Sequence, residues 1–134
     1  MKYLTIIFAL FFFSCQEEEQ YCDYCTLELE APDLELNENG YYHMTANPDL
    51  TYNMTQLRAY VGYQDEYVGW TTDTYHSSLG IPIIGGSGYS SEDGYAYQLL
   101  TVDGNNIGDT ATIWAGYYDN YGKQWIDSIK VVIE

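Results

Sequence analysis

The stretch Gln56-Leu57-Arg58-Ala59-Tyr60-Val61-Gly62-Tyr63-Gln64 decides the fold. Leu57, Ala59, Val61 and Tyr63 alternate with Gln56, Arg58, Tyr60 and Gln64, so one set shares a dry face and the other a wet face of a strand. Leu27 and Leu29 alternate with Glu28 and Glu30 in the same way. Beyond residue 25 no stretch carries the 3.6-residue period of an amphipathic helix. The pattern predicts strands near 26–31, 41–46, 56–63, 66–72, 95–102, 110–118 and 124–133, with a further edge strand at 81–84. Between them, Asn37-Glu38-Asn39-Gly40, Asp103-Gly104-Asn105-Asn106 and Asp119-Asn120-Tyr121-Gly122 supply residues that tolerate positive φ in turns. Seven or eight such strands make an all-β, antiparallel β-sandwich.

Gly108-Asp109-Thr110-Ala111-Thr112-Ile113-Trp114, a turn, and then Ser128-Ile129-Lys130-Val131-Val132-Ile133 resemble the last two strands of immunoglobulin-like domains. The resemblance implies an immunoglobulin-like sandwich over residues 26–134. Ile113 and Ala115 stand where an antibody-type domain carries its corner tyrosine and inter-sheet cysteine. A fold of this kind implies no particular activity.

The first residues read as an address. Met1-Lys2 is a short basic start, Tyr3 to Phe13 an apolar run, and Ser14 a small residue before Cys15. The run is too short to span a bilayer, which takes roughly 20 residues. Ser14-Cys15 resembles the end of the lipobox of bacterial lipoproteins, with Phe12 where a leucine is usual. That resemblance implies a signal peptide over 1–14, cleaved before Cys15, and lipidation of Cys15, palmitate included. Gln16-Glu17-Glu18-Glu19 resembles the acidic export tag of Bacteroidota surface lipoproteins. It implies a lipidated acidic tether at 15–25, held at the outer face of the outer membrane. As residues alone, the same run is a solvated spacer.

The full chain carries 4 basic and 20 acidic residues, a formal charge of −16. Loss of residues 1–14 would remove Lys2 and no acid. Such a field excludes nucleic acid as a partner, because binding it requires cations that displace counterions. Cys22 and Cys25, in Cys-Asp-Tyr-Cys, precede a strand pattern and so lack the helix that activates a redox pair. A zinc site would need two more ligands, and His43 and His76 are isolated in sequence. A small local disulfide between tether and domain is the expected state outside the cytoplasm.

Tyrosine is in excess, 16 against 4 phenylalanines. It favours strands, and it also gives rigid, amphipathic contact area at recognition surfaces. With immunoglobulin connectivity, loops at 47–55, 85–94 and 119–123 are expected at one end, presenting Tyr52, Tyr89, Tyr117, Tyr118 and Tyr121 beside Asp119 and Asn120. Aromatic platforms beside amides and carboxylates suit sugar rings and peptides alike. The acids of those loops, or Asp103, Asn105 and Asp109, could hold Ca2+. No catalytic residues stand out: there is no nucleophile elbow and no His-Glu-x-x-His. The expectation is a lipid-anchored surface module that binds a glycan or an envelope or host protein and needs no cofactor. A structural or assembly subunit is the alternative, and an accessory hydrolase the third.

Overall fold

The computed structural model describes residues 20–49, 51–76 and 79–134. The signal peptide, Cys15 and the Gln16–Glu19 run lie outside the described residues.

Among the described residues nine strands run in chain order: β1 Glu28–Glu30, β2 Glu35–Leu36, β3 Tyr42–Met44, β4 Asn53–Tyr60, β5 Tyr67–Thr72, β6 Gly86–Tyr89, β7 Tyr95–Val102, β8 Thr110–Tyr118 and β9 Gln124–Ile133. They form a three-stranded sheet, β1-β4-β7, packed on a six-stranded sheet, β2-β3-β9-β8-β5-β6. The molecule is therefore an all-β immunoglobulin-like sandwich. Two short strands, β2 and β6, bring the count above seven or eight, and one pairing is parallel, Tyr42 to Met44 of β3 against Val131 to Ile133 of β9.

Alternation fixes which face is buried. Leu57 and Ala59 of β4, with Ala96, Leu100 and Val102 of β7, point inward from the small sheet. Val68 and Trp70 of β5, Ala111, Ile113, Ala115 and Tyr117 of β8, and Val131 and Ile133 of β9 meet them from the large one. Asp127 on β9 joins the two sheets: its Oδ2 accepts the Leu29 N–H of β1 at 2.8 Å.

Two expected boundaries differ. Ile81 to Ile84 form no strand; Ile83 and Ile84 are 2% exposed and plug the core beneath the long β5–β6 connection. The Ile83 carbonyl accepts Thr101 N–H at 2.9 Å and the Gly85 carbonyl accepts Gln98 Nε2 at 2.7 Å, which covers this part of the β7 edge. The edge strand is instead Gly86–Tyr89, paired with Tyr67 to Trp70. Also, β4 begins at Asn53 and ends at Tyr60, where Gly62, at φ 88°, turns the chain away.

Register sets the two ends. Tyr60 pairs with Tyr95 at one end of the small sheet and Asn53 with Val102 at the other. The first end therefore gathers 20–27, 61–66, 90–94 and 119–123. The second gathers 45–49, 51–52, 73–76, 79–85 and 103–109.

Candidate functional site

The expected gathering of 47–55, 85–94 and 119–123 does not occur. Residues 53–55 and 86–89 are strand, and 47–49 and 51–52 lie at the opposite end from 90–94 and 119–123. Tyr52 packs its ring edge on His76, centroids 5.5 Å apart, at that second end.

Two of the remaining candidates face inward or serve the fold. Tyr117 follows Ala111, Ile113 and Ala115 on the dry side of β8, is 2% exposed, and donates from its hydroxyl to the Thr26 carbonyl at 2.8 Å. Asp119 is buried and organises the β8–β9 turn. Its Oδ1 accepts from the backbone N–H of Tyr121 at 2.9 Å and of Lys123 at 3.0 Å, and its Oδ2 accepts Trp125 Nε1 at 3.0 Å. The indole N–H, ahead of the backbone donors, holds the carboxyl below its ordinary pKa. Asn120 and Tyr121 are exposed at the tip of this turn.

Cys22 and Cys25 are joined as a disulfide and buried, beside the Asp119 carboxylate. They are part of a group whose candidate ligand atoms all lie within 4.8 Å, but the sulfurs are bonded to each other. In the other oxygen-rich turn, Asp103 and Asn106 form a reciprocal capping box around a 3-10 turn at Gly104–Asn106. Asp103 Oδ1 accepts Asn105 N–H at 2.9 Å and Asn106 Oδ1 accepts Asp103 N–H at 3.1 Å. These two oxygens already have donors within the turn.

Tyr89 and Tyr118 come together on a surface no loop reading had indicated, the outer face of the six-stranded sheet. Gly69 of β5 pairs directly with Gly116 of β8, which pairs in turn with Ile126 of β9. With no side chain at either glycine, the sheet has a bare backbone floor. Tyr67 and Tyr118 rise on the side toward the first end, Trp114 and Thr71 on the side toward the second, and Ile126 flanks the floor. The result is an open trough of about 440 Å³. Tyr118 and Trp114 are four residues apart on one strand face, roughly 13 Å along the sheet.

The aromatic wall is braced before any ligand arrives. Tyr67 and Tyr89, opposite one another across β5 and β6, pack with ring centroids 5.1 Å apart. The Tyr67 hydroxyl also hydrogen-bonds Ser87 Oγ. No Asp, Glu, His, Cys, Lys or Arg is among the residues lining the trough. Its chemistry is therefore flat apolar contact with hydroxyl and amide groups from Tyr, Thr71 and Gln124 at the margins.

A larger cleft, about 920 Å³, opens where β2 and β3 stand away from the start of β4. Asp33, Glu35 and Glu134 give it a negative lining, and its histidine is engaged: His43 Nδ1 meets Glu134 Oε1 at 3.0 Å, and Nε2 meets Asn37 Nδ2 at 2.9 Å.

Sequence reasoning missed Tyr67, Gly69, Trp114, Gly116 and Ile126. The trough depends on the two glycines meeting across strands, which no local pattern shows.

No model of a known protein family and no curated protein matches the chain. Seven chains of solved structures do. One is a beta-glucosidase from Listeria innocua in complex with gluconolactone, aligned over 89% of this chain and 20% of its own, with 8% identity and a TM-score of 0.35. A likeness that weak carries no argument about this protein, which spans a fifth of that enzyme's length.

Proposed function

We propose that the protein is a lipid-anchored cell-surface binding module that holds a neutral glycan chain in the trough on its six-stranded sheet. The observation that carries this reading is the glycine floor between Tyr67, Tyr118 and Trp114, with no charged side chain along it. The C–H faces of sugar rings stack on such aromatic walls while their hydroxyls reach the polar margin and water. The strongly acidic chain, with no cation in the trough, disfavours anionic polysaccharides. The same lining supports a binding role. The alternative of an assembly subunit joined edge to edge is disfavoured where Ile83 and Gly85 cover β7.

Affinity electrophoresis through gels containing soluble neutral polysaccharides, a β-glucan and a galactomannan among them, tests the ligand class. The expected result is retardation that Trp114→Ala removes and Tyr52→Ala leaves intact. Migration unaffected by every neutral polysaccharide, or retardation indifferent to Trp114→Ala, would refute the trough as a glycan site. The anchor is tested separately. Labelled palmitate should enter the native chain and not Cys15→Ala, and protease added to intact cells should digest the native protein.

A further inference from the structure

The end of the sandwich richest in exposed tyrosine is also the end where the chain enters. Tyr21 and Tyr24 are 72% and 59% exposed, and Tyr121, on the β8–β9 turn, is 51%. The entering segment is fastened there. The Cys22–Cys25 disulfide is buried, the Thr26 carbonyl accepts the Tyr117 hydroxyl, and the Tyr24 ring sits edge-on to Tyr63 with centroids 5.6 Å apart. β1 then begins at Glu28, opposite Tyr60 at the same end. From Cys15 to Gln20 is five residue steps, a reach of at most about 17 Å. The far end lies a further ~33 Å away, the length of the ten-residue strand β9.

We infer that this tyrosine-bearing end is a membrane-facing surface, with Tyr21, Tyr24 and Tyr121 resting at the level of the lipid headgroups. The inference depends on the lipid anchor at Cys15 proposed above. A tether this short confines the first end to the bilayer surface and cannot bring the second end to it without laying the sandwich flat. Tyrosine is suited to the site because its ring is apolar and its hydroxyl is wet, the combination that enriches it at membrane interfaces. The acids around it define the surface. Asp23, Asp65, Glu92 and Asp93 are exposed at the same end, so the contact stays at the hydrated headgroup level and stops short of the hydrocarbon.

Function follows from this placement. The trough occupies the half of the sheet nearer the first end, since Tyr67 and Tyr118 are the end residues of their strands there. With that end down, the trough opens sideways just above the bilayer, where a glycan chain lying along the cell surface can enter it.

The test uses the full lipidated chain in phosphatidylcholine vesicles, with a fluorophore on Asn120→Cys or, at the far end, on Asn105→Cys. Energy transfer to a headgroup-labelled acceptor should be several-fold stronger from position 120. Equal transfer from the two positions would overturn the inference while leaving lipidation and polysaccharide retardation, measured on the same samples, to stand. Replacing Tyr21, Tyr24 and Tyr121 together by Ser should reduce the difference between the positions. A difference unchanged by that replacement would overturn the tyrosine contact. A chain whose mass shows no lipid, and which floats free of the vesicles, would remove the anchor and this inference together.

Discussion

Tyr117 and Tyr118 are neighbours with opposite roles, and the two-residue period of β8 separates them. Tyr117 shares the buried side with Ala111, Ile113 and Ala115, and its hydroxyl finds the Thr26 carbonyl; Tyr118 is 65% exposed on the trough wall. A buried hydroxyl must have a partner, and here the partner ties the N-terminal segment to the last hairpin. Tyr117→Phe leaves that carbonyl without its donor, so a loss of about 1 kcal/mol is expected in urea unfolding, with faster proteolysis between residues 20 and 27. Tyr118→Phe should change neither. Tyr117 could have been placed inward from sequence by extending the alternation of β8. Asp119 could not, because its function as the acceptor for Tyr121, Lys123 and Trp125 depends on the local turn geometry. All four phenylalanines lie within residues 8–13, so beyond them tyrosine, with three tryptophans, supplies the rings of both core and surface. That dual use is why counting tyrosines did not locate the site.

At the scale of elements, what was legible depended on side chains that announce a strand. β7, β8 and β9 match their expected bounds, because each combines alternation with turn residues at its ends. β6 was not legible: Gly86-Ser87-Gly88-Tyr89 has little intrinsic preference for a strand and is held by pairing with β5. Ile81 to Ile84 looked like a strand for the converse reason, since an apolar run reads alike whether it pairs or plugs a core. The trough rests on a register that joins positions 69 and 116, and no local pattern reveals it. Its two glycines should respond differently to substitution. A Cβ on Gly116 would sit 3.0 Å from the Trp125 carbonyl oxygen and 3.1 Å from Ile126 Cγ1, so Gly116→Ala is expected to destabilise by about 1–3 kcal/mol. A Cβ on Gly69 meets nothing closer than the Gly116 carbonyl at 4.0 Å. Gly69→Val should therefore fill the floor with a side chain that favours strands, shift the unfolding midpoint little, and abolish retardation by a neutral polysaccharide. Unfolding curves and affinity gels on the same pair of variants separate the two effects.

The whole molecule is dominated by unbalanced negative charge, and the three Lys and Arg side chains among the described residues are placed on aromatic rings. Arg58 lies over Tyr95 at 4.6 Å, Lys123 over Trp125 at 4.5 Å, and Lys130 over Tyr41 at 5.6 Å. Among the described residues, the Lys or Arg ion pair is Arg58 with Glu30, at 2.6 Å. Added salt therefore has little attraction to screen and much repulsion to relieve. The melting temperature at pH 7 is expected to rise between 0.01 and roughly 0.5 M NaCl, a range over which the Debye length falls from about 30 Å to a few Å. A fall would mean that local ion pairs outweigh the collective field. Acid acts in the opposite direction on a second set of groups. Asp119, held low by the Trp125 indole N–H, and Asp93, held low chiefly by the Tyr97 hydroxyl, have folded-state pKa values below their unfolded ones. For such groups the stabilisation is complete above the unfolded value and is lost as pH falls through the folded one. Melts between pH 7 and pH 2 should thus show stability retained down to about pH 5 and declining below it, as unfolded aspartates, half-protonated near pH 4, take up protons that the folded ones resist. Asp119→Asn, which keeps one acceptor oxygen, sets an NH2 donor where the other oxygen stood and carries no charge to protonate, should lower stability at pH 7 and flatten that decline. An acid limb unchanged in Asp119→Asn would place the acid sensitivity elsewhere in the fold.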